Sequence, residues 1–229
     1  MDSEKVQVDR VRHAGPPLGI VATVFVVLFL AGLYPVTQFG GQPYFPGPWE
    51  SPDTIVTFFQ TRSASVLATA FLHFGAAIPL GIFTATAVSQ MRFLGARVAG
   101  TYIALFGGFA TSFTMIVSAS MLWTLAQPGV AQDKALVQAL YWLDQALGGS
   151  GFSVPFGLLI AGICIPALIM KLLPKWIVIP GLLIALCGEL SWLNLVVPKA
   201  LFLVPLTRFP GFLWMIAAGF ALPKTVVRS

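Results

Sequence analysis

The sequence predicts an all-α polytopic membrane protein, with six transmembrane helices and two short interfacial helices on the outer side. Two features of composition carry that reading. Of 229 residues, 57% are hydrophobic and only 9% charged, far from the roughly 25% charged residues of an ordinary soluble domain. The mean hydropathy is +0.88. A third feature is the arrangement, in which apolar runs of about 20 residues or more, the length that crosses a hydrocarbon core, use up nearly the whole chain.

Residues 1–17 are polar and mixed in charge, and read as a mobile cytoplasmic tail ending at Pro16-Pro17. The first apolar run, Leu18 to Val36, is longer than the apolar core of a signal peptide and reads as a retained anchor. Five more runs follow: Ser63 to Gln90, Gly95 to Leu125, Phe152 to Leu173, Ile177 to Val197, and Ala200 to Leu222. Lipid offers no partner for backbone N–H and C=O groups, so these runs should be helices. Residues 18–222 thus form one six-span membrane domain, and 223–229 a second cytoplasmic tail.

Basic residues give the orientation. Lys5, Arg10, Arg12, Arg92, Arg97, Lys171, Lys175, Lys224 and Arg228 fall on one side, against Arg62, Lys134 and Lys199 on the other. Lysine and arginine favour the cytoplasmic side, so both termini are placed inside. The net charge of +5 is spread over loops and not along one polar face, so no nucleic-acid partner is implied.

Two outer loops are long enough to hold structure. In the first, Ser51-Pro52-Asp53 supplies an N-cap, an N1 proline and a first-turn acid, predicting a helix from Pro52 to about Thr61. In the second, Leu136, Leu140, Leu143 and Leu147 recur at helical spacing. That stripe predicts an amphipathic helix in the interface plane, with Tyr141 and Trp142 at headgroup level. Surface anchoring is the preferred reading, and a lid over an outer cavity the alternative.

Cys164 and Cys187 fall inside apolar runs, where a thiol behaves as a small hydrophobe. Two histidines and the absence of metal-binding spacings predict no metal, and no cofactor motif occurs.

An ionisable side chain at membrane depth needs a partner or a wet cavity. His73, Glu189 and Arg208 are the three in question. Glu189 lies nine residues before Pro198, and Arg208 eight after Ala200, so both sit roughly 12 to 14 Å below the outer surface on adjacent antiparallel helices. A Glu189 to Arg208 ion pair is therefore predicted. His73 is at similar depth, and Ser118 and Trp192 join it, with Thr114, Ser120, Ser191 and Asn194 nearby. His73, Ser118, Glu189, Trp192 and Arg208 form the candidate ligand-binding set. The inner half reads as almost purely apolar.

In the simplest reading the ion pair only fastens spans five and six. The functional reading is an outer pocket for a small polar or amphiphilic molecule, or a proton path through His73 and Glu189. Ser118, His73 and Glu189 also have the residue types of a hydrolase, but no sequence context for a nucleophile surrounds them. Pro205 and Pro210 flank Arg208 and should disturb span six. Gly100, Ala104, Gly108 and Ser112, at four-residue intervals on span three, predict close packing within the bundle.

Leu173-Pro174-Lys175-Trp176, Pro180-Gly181-Leu182 and Arg208-Phe209-Pro210-Gly211-Phe212-Leu213-Trp214 resemble a large family of bacterial multi-span proteins known only as a domain of unknown function. The likeness is strongest from about Met170 to the C-terminal end. It implies a bacterial inner membrane, and transfers no catalytic residue. A binding or accessory subunit with the bilayer, a small ligand and a membrane-protein partner around it is the leading expectation. A small transporter or proton-coupled carrier is the alternative, weakened by the lack of similarity between spans one to three and four to six.

Overall fold

Six apolar stretches become six helices because each can satisfy its backbone only internally. The computed structural model describes residues 9–41 and 44–228. Its membrane-length helices are α1 (Leu18–Thr37), α3 (Ser63–Phe93), α4 (Ala99–Leu125), α6 (Ser150–Ile169), α7 (Lys175–Leu190) and α8 (Leu203–Ala221). Six helical stretches are long and apolar enough to cross a bilayer. This is an all-α, multi-pass membrane protein.

The helices pack in chain order around a ring. α1 contacts α3, α3 contacts α4, α4 contacts α6, α6 contacts α7, α7 contacts α8, and α8 returns to α1. Close approach comes from small residues, as the stripe on α4 predicts. A Cβ on Gly162 would stand 2.5 Å from both Ala104 N and Gly100 O, so only glycine lets α6 lie directly on α4. Farther along α4, Gly108 faces Thr84, and the Ser112 hydroxyl donates to Ala77 O at 2.6 Å. The stripe is shared between α6 and α3.

The two shorter helices cover the end of the ring opposite the termini. In α2 (Pro52–Thr61), Ser51 caps by accepting from Thr54 N, with Pro52 and Asp53 in the first turn, as the sequence predicts. In α5 (Lys134–Gly148), Asp133 accepts from Ala135 N and Leu136 N.

The buried face of α5 differs from the expectation. Val137, Tyr141 and Asp144 point inward, while Leu136 and Leu143 are exposed. Tyr141 is fully buried against protein, donating to Pro46 O at 2.8 Å. Trp142 is the exposed neighbour. Leu136 and Leu143 can face lipid at no cost while Leu140 packs against the cap core, whereas a phenol and a carboxyl must turn toward partners.

Two apolar cores result. The larger unites the six long helices, and at its centre Phe25, Phe29, Phe152, Phe156 and Phe212 interlock, with Phe25 meeting Phe212 edge-on at 5.1 Å and Phe29 meeting Phe212 at 4.8 Å. The smaller holds Ile55, Val56, Phe58, Phe59, Val137 and Tyr141 of the cap against Val36, Val66, Ala70, Leu122 and Leu125 at the ends of the long helices.

Near the termini the expected mobile tail is in part ordered: β1 (Asp9–Arg12) pairs antiparallel with β2 (Thr225–Arg228). Residues 1–8, with Lys5 of the charge pattern, lie outside the described part. The half of the ring next to this clasp is not purely apolar. Gln90 is buried there and donates to Leu222 O at 3.1 Å and Pro223 O at 2.7 Å.

Pro205 does not disturb α8, because it falls in the first turn, where an N–H has no intrahelical partner anyway. Pro210 lies inside the helix. Span five loosens at its far end, where α7 gives way to tighter turns at Ser191–Leu195.

Candidate functional site

Between the two cores lies a cavity of about 180 Å³. α1 contributes Phe29 and Leu33, α3 Thr69 and His73, α4 Met115 and Ser118, α5 Asp144, Gln145 and Gly148, α6 Phe152, and α8 Val204 and Arg208. The phenylalanine cluster forms its floor, and α5 its roof. Three of the five sequence-predicted residues, His73, Ser118 and Arg208, therefore meet in one place.

Arg208 is held by shape as much as by charge. Its guanidinium lies 4.9 Å from the Phe152 ring centroid and 5.5 Å from that of Phe29, so the cation rests against two aromatic rings. The donor edge is left for polar partners. One Nη2 hydrogen goes to Gly148 O, at the end of α5, where the last carbonyls of a helix lack partners of their own. Nε is buried and finds no acceptor among the described residues.

The predicted Glu189 to Arg208 ion pair is absent. Among the described residues the one ion pair within 4.0 Å is Lys134 to Asp53, on the surface. Depth along a helix follows from the sequence, but the direction around it does not. α8 presents Thr207 to α7, as the approach of Thr207 Cγ2 to Gly188 shows, and Glu189 turns its Oε1 toward Gly157 of α6. Arg208, about 100° farther round α8, points into the ring. Glu189 Oε1 is left without a hydrogen bond among the described residues. Trp192 is half exposed and does not line the cavity.

The acid that does reach the cavity is Asp144. It is buried and accepts from the Ser118 hydroxyl at 2.5 Å. Its signal in the sequence is the spacing Val137, Tyr141, Asp144, a second stripe on α5 less apolar than the leucines. A Cβ on Gly148 would come within 3.1 Å of Ser118 Oγ, so glycine allows the roof to close on α4.

His73 stacks on Phe29 at 4.5 Å and 18°, and its Nε2 is 3.2 Å from Phe29 O. Ser118 is thus bonded to Asp144, not to His73, and Glu189 is elsewhere. The three hydrolase residue types do not form one constellation. Thr69 Oγ1 is buried in the cavity wall and has no partner among the described residues.

A second hollow of about 320 Å³ adjoins the first, sharing Gln145 and Leu201 with it. Pro48, Trp49, Trp142, Ala146, Asn194 and Pro198 are also in its lining. Trp49 and Trp142 are 76% and 53% exposed, so this vestibule is open to the surface.

No family model, curated protein or solved structure matches the chain. Fold and site therefore rest on its own residues.

Proposed function

We propose that this chain is a bacterial inner-membrane protein with cytoplasmic termini, and that the cavity beneath α5 is a pocket for a small polar or amphiphilic molecule. In this reading it works as a binding protein or as an accessory subunit of a membrane complex. One observation carries the pocket: two buried polar atoms, Arg208 Nε and Thr69 Oγ1, lack partners among the described residues and belong to the wall of a cavity that adjoins a surface hollow. Unmatched buried polar groups cost about 1 to 3 kcal/mol each, so a site that leaves them gains when something supplies the missing bonds.

The resemblance carried by the C-terminal part of the chain supports the bacterial inner membrane. The excess of lysine and arginine on the side of the termini supports the orientation. The phenylalanine floor favours binding over passage, because Phe25, Phe29, Phe152, Phe156 and Phe212 pack together on the side of the cavity toward the termini.

The test is directional access. In a background with Cys164 and Cys187 changed to Ala, Gln145→Cys should react with a membrane-impermeant thiol reagent added to spheroplasts, and Lys224→Cys only in inverted vesicles. Reaction of Gln145→Cys in inverted vesicles alone would overturn the orientation. Failure to react from either side would overturn the open pocket.

A further inference from the structure

We infer that the molecule bound beneath α5 is a small organic acid, its anionic group on Arg208 and its apolar body in the tryptophan-lined vestibule. This rests on the pocket reading and adds the ligand's chemistry to it. Arg208 is a cation without a contact anion: among the described residues no carboxylate lies within 4.0 Å of it, and two phenyl rings lie against it. What it offers is a donor edge, of which Gly148 O takes one position. Guanidinium edges match the two oxygens of a carboxylate or the oxygens of a phosphate ester.

Asp144 shares the cavity but turns one oxygen to Ser118. It balances charge at a distance without occupying the guanidinium. A buried charge that lacks a direct partner is costly, and an incoming anion would supply that partner.

The vestibule sets the other end of the ligand. Seven of its nine lining residues are apolar or aromatic, Trp49 and Trp142 among them, and the other two, Gln145 and Asn194, are uncharged. A flat or short apolar body fits there. A diacyl phospholipid, with its glycerol and two chains, does not fit hollows of about 180 and 320 Å³.

The experiment compares 4-phenylbutyrate with 4-phenylbutyramide, which differ in charge and little else, binding to the full chain in phosphatidylcholine nanodiscs. The acid should bind about tenfold or more tightly than the amide. In Arg208→Gln the preference should fall to within about twofold. Because that variant can fail to fold, Leu201→Trp is the second test: it leaves Arg208 intact, adds bulk at a residue that lines both hollows, and should weaken the acid about tenfold. Equal binding of acid and amide by the unaltered chain would overturn the acid and leave the pocket standing. Binding of neither would overturn both. Loss of phenylbutyrate binding when phosphatidylglycerol replaces part of the phosphatidylcholine, at an ionic strength that screens the added surface charge, would assign Arg208 to a lipid headgroup and overturn the small acid.

Discussion

The ring of six helices and the cap of α2 and α5 are built from similar apolar material by different rules. In the ring, helices approach until backbone meets backbone, and glycine sets the distance. In the cap, contact is made by large side chains, with Phe59 and Tyr141 fully buried and Tyr141 bonded to a loop carbonyl. Polar groups collect at the junction because neither rule fills it. The ring ends in a phenylalanine floor, and α5 arrives above it with a carboxyl on its inner face. A site that must open belongs at such a seam, where closure depends on a few side-chain contacts.

The contrast should show first, and hardest, in the ring. Gly162→Leu should abolish the monodisperse folded protein, since even its Cβ would meet Ala104 N and Gly100 O at 2.5 Å and backbone cannot step aside. The cost should exceed the about 1 to 3 kcal/mol of ordinary overpacking. Gly75→Ala is the control. Among the described residues nothing lies within 4 Å of a Cβ there, so melting should be unchanged or slightly raised by the better helix former. Equal tolerance of both changes would mean that α4 and α6 are not packed backbone to backbone.

In the cap the expected losses are smaller. Tyr141→Phe keeps the ring in its place but leaves Pro46 O without its donor and Gln145 Nε2 without its acceptor. A loss of about 1 to 3 kcal/mol is expected. Hydrogen exchange should show where it falls: amides of α5 should exchange faster while those of α4 and α6 do not. Uniform acceleration across all helices would show that cap and ring unfold together.

How much of this is legible in the sequence depends on what each feature requires. Spans follow from the length of an apolar run, so all six stand where they are predicted, apart from the loosened far end of span five. The α2 cap follows from Ser51, Pro52 and Asp53 in a row. The depth of Arg208 follows from counting residues. Its partner does not, because a difference of about 100° around α8 separates Thr207, which faces α7, from Arg208, which faces the ring.

Asp144 does not stand out in the sequence because the leucines of α5 draw attention to another face. Whether that face or the one bearing Tyr141 turns inward depends on hydrogen bonds to Pro46 and Ser118, distant in sequence. The short strands at the termini have too few residues to show a period, and they pair across nearly the whole length of the chain.

The smallest effect tests what joins α2 to α5. Lys134 Nζ and Asp53 Oδ1 are 3.0 Å apart, with their side chains 67% and 82% exposed. An ion pair so open to water gains little over its two solvated partners, and salt screens what remains. Behind it, Phe59 and Tyr141 are wholly buried and face each other edge-on at 6.4 Å, a contact that salt does not touch. Lys134→Ala should therefore leave the melting temperature where it was, at low and high ionic strength alike. A clear drop confined to low salt would assign the attachment of the cap to charge. The roof of the cavity would then be held by the weakest contact in the molecule, and its opening would follow ionic strength.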